Sequence, residues 1–336
     1  MQKKTFRFGN SKVDIFPNSR FTNLKEIVDR QSAVILTDEN VAAAHSNRFK
    51  NYNTIVLKAG EQYKVQATVD AVIEQLIEME ADRHTTLVGV GGGVITDLTG
   101  YIASVYMRGI SFGFVPTSLL AMVDASIGGK NGIDVGEFKN MVGVIRQPSF
   151  ILYDMSLLSS LPHLEWRNGF AEIIKHACIK DAAMFKELEK NNIGYYQRKK
   201  TALMQLVQKN ALIKTRVVQK DEFETGERRL LNFGHTLGHA LETQYELSHG
   251  EAIAIGMSYA ANLSGGLLGF KNVGRVVSLI EKYELPTHAR FNKDKVIRIL
   301  KMDKKKSRDS IRFILLERIG KAAIQPISID QLYESL

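Results

Sequence analysis

Cysteine is almost missing from this 336-residue chain. The single Cys178 cannot close an internal disulfide, which excludes a disulfide-stapled scaffold and fits a reducing cytosol. The first residues, Met1-Gln2-Lys3-Lys4-Thr5-Phe6-Arg7-Phe8, carry charge without an apolar segment, so no secretory signal is expected. Long uncharged runs are scarce. One, residues 252–270, approaches the roughly 20 residues needed to cross a bilayer. It is diluted by Asn262, two serines and four glycines, and reads as a buried core helix rather than a membrane span. There is no linker rich in Pro, Gly or Ser and no internal repeat, which excludes a solenoid. Interleaved aromatics, zinc-finger spacing and RNA-binding signatures are also missing, so nucleic acid is not an expected partner.

What is present is ordinary globular material: 44% apolar and 24% charged residues. The length accommodates two domains, each with its own core. The net charge of +9, taken by itself, would suit nucleic acid, an anionic lipid or an anionic small substrate. The densest basic run, Lys301-Met302-Asp303-Lys304-Lys305-Lys306-Ser307-Arg308, reads from composition alone as a solvated face.

Residues 33–37, 54–57, 85–90, 111–115 and 150–153 read as short apolar strands. Helical periodicity lies between them over 64–80 and 95–106. This alternation predicts an α/β, Rossmann-like N-terminal domain with a parallel sheet covered on both faces. After Pro162 the patterns are long and helical: 165–179, 203–220, 230–245, 251–263 and 273–283. A small hairpin is expected near 311–316 and 322–326. The expected organisation is a domain 1–160 for nucleotide binding and a mainly α-helical domain 161–336 for metal and substrate. The boundary is placed near Leu158 to Leu161, and the ligand is expected between the two.

Gly91-Gly92-Gly93 leaves an apolar strand and enters a helix. Residues without Cβ let backbone N–H groups approach a pyrophosphate, and a helix start favours anions. The spacing departs from G-x-G-x-x-G, so a plain tight βα turn reads equally well. Asp97 in the first helical turn is a ribose or nicotinamide contact, or simply an acid matched to the helix dipole. His235 and His239 stand four apart on one helix, and His249 follows ten residues later. Spacing nominates these three histidines as metal ligands, without showing whether a carboxylate replaces one. Glu172 and Lys175 read from spacing as an ordinary surface i,i+3 ion pair.

Five segments together resemble a known family: Gly60-Glu61-Gln62-Tyr63-Lys64; Gly91 to Gly100 with Arg108-Gly109; Val123-Asp124-Ala125-Ser126-Ile127-Gly128-Gly129-Lys130 with Lys139-Asn140; Ala171-Glu172-Ile173-Ile174-Lys175; and Asn232 to His239 with His249-Gly250-Glu251-Ala252. The chain is similar to the sugar phosphate cyclases, in particular the 3-dehydroquinate synthases, from about Asp38 to Lys305. The resemblance implies conversion of 3-deoxy-D-arabino-heptulosonate 7-phosphate to 3-dehydroquinate with phosphate release. It implies catalytic NAD that takes and returns a hydride, and Zn2+ or Co2+ that polarises substrate oxygens.

Residue by residue, it implies metal ligands Glu172, His235 and His249, with His239 moved to the substrate. It implies NAD contacts from Asp38, Asn40, Glu61, Lys64, Gly91, Gly92, Gly93, Asp97, Thr117, Ser118, Asp124, Lys130 and Lys139. Catalytic or substrate contacts would come from Lys130, Lys175, Lys214, Arg228, Asn232 and His239. Asp124, Lys139, Asn140, Lys304 and Lys305 would add to them. Arg108 would reach the site of a second subunit, which implies a homodimer in the cytoplasm. The cations then answer a phosphate and a carboxylate, and the run at Lys304 becomes part of a substrate clamp.

Departures from the family pattern are Thr96, Ser118, Asn131, Asp134 and the segment His163-Leu164-Glu165-Trp166-Arg167-Asn168. Asp134 adds negative charge near an anionic substrate, which bears on substrate identity. The alternatives are a sister cyclase acting on sedoheptulose 7-phosphate or glucose 6-phosphate, and a metal-dependent NAD polyol dehydrogenase. A regulator that binds NAD without catalysis is a further one, disfavoured by Glu172, His235 and His249.

Overall fold

The computed structural model describes residues 1–136, 138–303 and 310–336, the side chains of 302 and 303 aside. Its strands are β1 (Lys4–Phe8), β2 (Ser11–Phe16), β3 (Ala33–Asp38), β4 (Asn53–Leu57), β5 (Thr86–Gly91), β6 (Ser111–Pro116), β7 (Lys130–Val135), β8 (Phe138–Ile145), β9 (Phe150–Leu152), β10 (Ser310–Arg318) and β11 (Lys321–Ser328). Two compact units emerge from the contacts. The first is Met1–Glu165 with Lys200–Phe223, and the second is Trp166–Lys199 with Glu224–Leu336. Sequence offered one contiguous cut near 160. In the structure the helix Lys200–Lys220 returns to the first unit.

Among the described residues of the first unit, seven strands form one sheet in the order β1-β2-β9-β6-β5-β3-β4. The pairs β2–β9, β9–β6, β6–β5, β5–β3 and β3–β4 are parallel. The expected parallel sheet is therefore present, with an antiparallel β1–β2 pair added at one edge. β5 is buried throughout and β3 up to Asp38, as strands covered on both faces must be. Phe16, Ile35, Val88, Val90, Val115 and Leu152 share a core with Phe21, Leu24, Phe49 and Leu157. The chain leaves β3 for β4 on one side and, after the helix Gln66–Glu78, places β5 on the other. The carboxyl ends of β3 and β5 thus flank a topological switch point, where open α/β sheets bind ligands.

Asp154 anchors the end of this sheet. Its carboxylate accepts from the Phe21 N–H at 2.9 Å, the Ser156 N–H at 2.9 Å and Arg48 Nη1 at 2.7 Å. Burial pushes this carboxyl up, but Ser156, the Phe21 N–H and Arg48 outweigh it and hold it below its ordinary value. A depressed acid contributes stability above its unfolded pKa and loses it as pH falls through the folded one. Asp154→Ala should therefore cost about 2 kcal/mol at neutral pH, since it takes the acceptor from the buried Phe21 N–H and the partner from the half-buried Arg48. The gap from the parent protein should shrink below about pH 4. Urea unfolding at pH 7 and pH 3 measures both.

The second unit is mostly helical: His163–Lys180 from Trp166 onward, Ala182–Lys190, Ile193–Arg198, His235–Gln244, His249–Leu268, Val273–Lys282, Lys293–Asp303 and Ile329–Ser335, beside the β10–β11 hairpin. The uncharged run becomes the helix His249–Leu268, which buries Ala252, Ile253, Ala254, Ile255 and Met257. Among the described residues no helix is long and apolar enough to cross a membrane. The expected helix over 230–245 is corrected. A 3-10 turn, Glu227–Asn232, precedes the α-helix, and the chain breaks at Gly234, whose φ is +82°. A Cβ on Gly256 would lie 1.9 Å from the Gly234 carbonyl oxygen. The two backbones meet there, and only glycine allows it.

Candidate active site

The switch point in the first unit carries the residues expected to hold a dinucleotide. β5 ends on Gly91 and the helix Gly93–Val105 starts after Gly92, an extended N-cap with no side-chain cap. A Cβ on Gly91 would stand 2.5 Å from Ile95, and one on Gly92 3.4 Å from Ser118 Oγ. The turn is thus both sterically required and open at the helix start, which fits a pyrophosphate on backbone N–H groups. Thr117 donates its N–H to the Gly91 carbonyl at 2.9 Å, and Ser118 Oγ accepts from Ala121. Asp38, at the end of β3, caps the helix Glu39–His45, and Asn40 is exposed beside it. Lys64 is buried, 2.6 Å from Asp97 and 3.8 Å from the exposed Glu61, and donates to Asn140 Oδ1 at 2.6 Å. Burial pushes the Lys64 ammonium down, but Asp97 and Glu61 outweigh it and hold it above its ordinary value. Lys214 donates to Asp124, at 2.9 Å to its carbonyl and 2.8 Å to its carboxylate. Lys130 and Arg108 are exposed, and Lys139 is half-buried on β8.

The second unit gathers the metal candidates. One ligand atom each from Glu172, His235 and His249 lies within 4.8 Å of the others. Glu172 Oε1 stands 3.0 Å from His249 Nε2 and 3.5 Å from His235 Nε2. The second nitrogen of each ring faces an oxygen, with His235 Nδ1 3.2 Å from the Phe233 carbonyl and His249 Nδ1 3.4 Å from Glu242 Oε2. The two Nε2 atoms and the Glu172 carboxylate thus face one another, and these are the atoms that would hold a metal. Two imidazoles and one carboxylate form a donor set suited to zinc or cobalt, with positions left for substrate.

Burial pushes the Glu172 carboxyl up, but Lys175, His235 and His249 outweigh it and leave it well below the usual range. Burial and the Lys175 charge hold His235 below its ordinary value, against the pull of Glu172. Burial pushes His249 down, yet Glu172 and Glu242 hold it up at about 10. His239 is exposed, its ring 5.1 Å from that of His235 and 6.4 Å from that of His249, and it is not part of the triad. The spacing-only set of three histidines gives way to one with Glu172.

The reading of Glu172 and Lys175 as a surface pair is also corrected. Both are buried, at 0% and 1% exposure, and they form an ion pair inside the unit. Arg228 is buried, and Asn232 Nδ2 donates to Glu224 Oε1 at 2.5 Å. Lys304 and Lys305 lie outside the described residues.

The departures have local reasons. Thr96 is buried and bonds back to the Gly93 carbonyl at 2.9 Å. Asn131 Nδ2 donates to the Gly129 and Arg146 carbonyls at 2.8 and 2.9 Å, closing the start of the β7–β8 hairpin. Asp134 accepts from the Asn140 N–H at 2.7 Å and donates its own N–H to the Lys64 carbonyl. Its negative charge thus serves the scaffold around Lys64. Asn168 accepts from the Gly250 N–H at 3.0 Å, and Arg167 lies 3.0 Å from Glu251. The unusual segment therefore clamps the turn that carries His249. Motif spacing missed Arg167, Asn168 and Glu242. Only Glu242 left a signal, seven residues after His235 on the same helix face.

Comparison with known proteins gives the family. Residues 54–168 match the family model described as 3-dehydroquinate synthase N-terminal, and residues 169–306 match 3-dehydroquinate synthase C-terminal. A 3-dehydroquinate synthase of Campylobacter curvus (strain 525.92) is 39% identical over 320 residues, 92% of this chain and 91% of that protein. A solved 2-epi-5-epi-valiolone synthase from Streptomyces hygroscopicus subsp. jinggangensis 5008, with NAD+ and Zn2+ bound, is 27% identical with a TM-score of 0.88, covering 100% of this chain and 98% of that one. A 2-deoxy-scyllo-inosose synthase complexed with carbaglucose-6-phosphate, NAD+ and Co2+ is 25% identical with a TM-score of 0.86, covering 99% of each chain. With both family models matched in order across residues 54–306, the chain belongs to the 3-dehydroquinate synthase family.

Proposed function

We infer that this chain is a carbon–oxygen lyase that converts 3-deoxy-D-arabino-heptulosonate 7-phosphate to 3-dehydroquinate and phosphate, using NAD and a divalent metal. The observation that carries this reading is the convergence of Glu172, His235 and His249 in a chain of this family. When bound, NAD supplies reversible hydride transfer at the substrate alcohol and the metal polarises the oxygens it holds. We assign the metal to Glu172, His235 and His249, and name zinc from the donor set. The pyrophosphate is assigned to the backbone of Gly91, Gly92 and Gly93, flanked by Thr117 and Ser118, and the nicotinamide end to Asp97, Asp124, Lys130 and Lys139. Asp38, Asn40, Glu61 and Lys64 complete the nucleotide contacts.

Lys175, Lys214, Arg228, Asn232 and His239 are assigned to the substrate, with Asn140, Lys304 and Lys305. Their charge matches a substrate with one phosphate and one carboxylate, and an uncharged polyol needs no such set. Asp97 and Asp124 hold Lys64 and Lys214 in fixed positions, so binding need not order these long side chains. Arg108 is assigned to the site of a second copy. Its exposure and its left-handed backbone, φ +66° between Met107 at +49° and Gly109 at +121°, support a constrained, functional turn. A cytoplasmic homodimer follows as part of this proposal.

The experiment is a comparison of three phosphosugars with NAD and zinc. Phosphate release is expected from the heptulosonate phosphate and not from sedoheptulose 7-phosphate or glucose 6-phosphate. Release from either of the latter alone would replace the substrate while keeping the reaction class. Net NADH accumulation with a polyol would replace the class.

A further inference from the structure

Glu242 lies on the helix His235–Gln244, seven residues after His235 and so near the same face. Its side chain is 7% exposed, and its Oε2 stands 3.4 Å from His249 Nδ1. The other nitrogen of that ring, Nε2, stands 3.0 Å from Glu172 Oε1. His249 is therefore held between two carboxylates, one at each nitrogen. The other histidine of the triad is oriented in the same way, its Nδ1 at the Phe233 carbonyl. The two orienting oxygens differ in kind. A backbone carbonyl is fixed by the chain, whereas the Glu242 carboxylate is charged and can be changed by substitution. A metal-ligating imidazole generally gives its second N–H to such an oxygen, which fixes the tautomer and raises ligand basicity.

We propose that Glu242 is a positioning residue for the metal site: it takes the Nδ1 proton of His249 in a hydrogen bond, and so presents the Nε2 lone pair to the ion. The helix that begins with one ligand thereby orients another, which stands at the start of the helix His249–Leu268. The proposal rests on the assignment of Glu172, His235 and His249 as metal ligands.

The test measures Zn2+ affinity by competition with a chromogenic chelator, and the visible spectrum of the Co2+-loaded protein, for the parent, Glu242→Gln and Glu242→Ala. The alanine variant should bind about 10- to 100-fold more weakly, with an altered cobalt spectrum. The glutamine variant, which keeps an accepting oxygen, should fall between it and the parent. A purely structural role would lower the thermal midpoint and leave the affinity and spectrum of the folded protein unchanged. That result in the glutamine variant, which keeps the side-chain shape should alanine not fold, overturns the proposal. Failure of the parent to bind either ion would instead overturn the metal assignment itself.

Discussion

His249→Ala is expected to lower turnover by about a thousandfold or more and to strip bound metal, while the far-UV circular dichroism stays that of the parent. A metal acting on substrate oxygens contributes several kcal/mol to the transition state, and each 1.36 kcal/mol is about tenfold in rate. The carboxylate of Glu172 keeps Lys175 as a buried partner after the substitution, so the helix His163–Lys180 has no reason to melt. Glu172→Gln should lose activity and metal in the same way, since it removes the charge on which both imidazoles converge, but it also takes the buried ion-pair partner from Lys175 and should lower stability as well. Phosphate release and metal content, measured on the same preparations, check the pair. Activity within tenfold of the parent, with metal retained, would remove His249 from the ligand set.

Gly256→Ala should be the most damaging single methyl in the second unit. The new Cβ would sit 1.9 Å from the Gly234 carbonyl oxygen and 3.0 Å from the Gly238 nitrogen. Both are backbone atoms, so no side-chain rotation relieves the contact. The helix that starts at His235 must shift against the one that starts at His249. Overpacking of this kind costs about 1–3 kcal/mol and occasionally more, and the upper end applies when backbone opposes backbone. Because the shift moves one ligand relative to another, zinc should also stabilise the variant less than it stabilises the parent. Denaturant unfolding with and without zinc measures both effects. Gly266→Ala, in the same helix with nothing within 4 Å of the added carbon, serves as the control and should be neutral or mildly stabilising.

Much of the first unit was legible because buried parallel strands announce themselves. Ala33-Val34-Ile35-Leu36-Thr37 and Thr86-Leu87-Val88 are continuous apolar runs, and both became central strands. β1 carries a half-exposed pattern with charge on both sides of Phe6, and so left no comparable signal. β7 and β8 were hidden for another reason: residues 130–140 read as a binding motif, and the turning of that motif into a hairpin depends on Asn131 reaching the Arg146 carbonyl, on the Asp134 carboxylate taking the Asn140 N–H across the turn, and on the Asp134 N–H reaching the Lys64 carbonyl. The helix Lys200–Lys220 kept its expected span nearly intact, but its unit is set by tertiary contacts that periodicity does not record.

The metal triad shows the same limit. His235 and His249 were close enough in sequence to be paired by eye. Glu172 was not, and its pairing with Lys175 has the spacing of an ordinary surface contact. Burial turns that contact into a charged partner for two imidazoles. Only the resemblance of Ala171-Glu172-Ile173-Ile174-Lys175 to a family motif nominated it in advance. Glu242 needed the structure, because its role depends on which ring nitrogen it meets.

The proposed function requires NAD to be returned within each turnover, and assigns it to the glycine turn and the metal to the triad. The most direct measurement incubates the zinc-loaded protein with NAD well below the concentration of 3-deoxy-D-arabino-heptulosonate 7-phosphate and follows phosphate and NADH together. Phosphate is expected in large molar excess over NAD, with no net NADH. Phosphate release that stops at the amount of NAD added, or NADH rising in step with product, would contradict it.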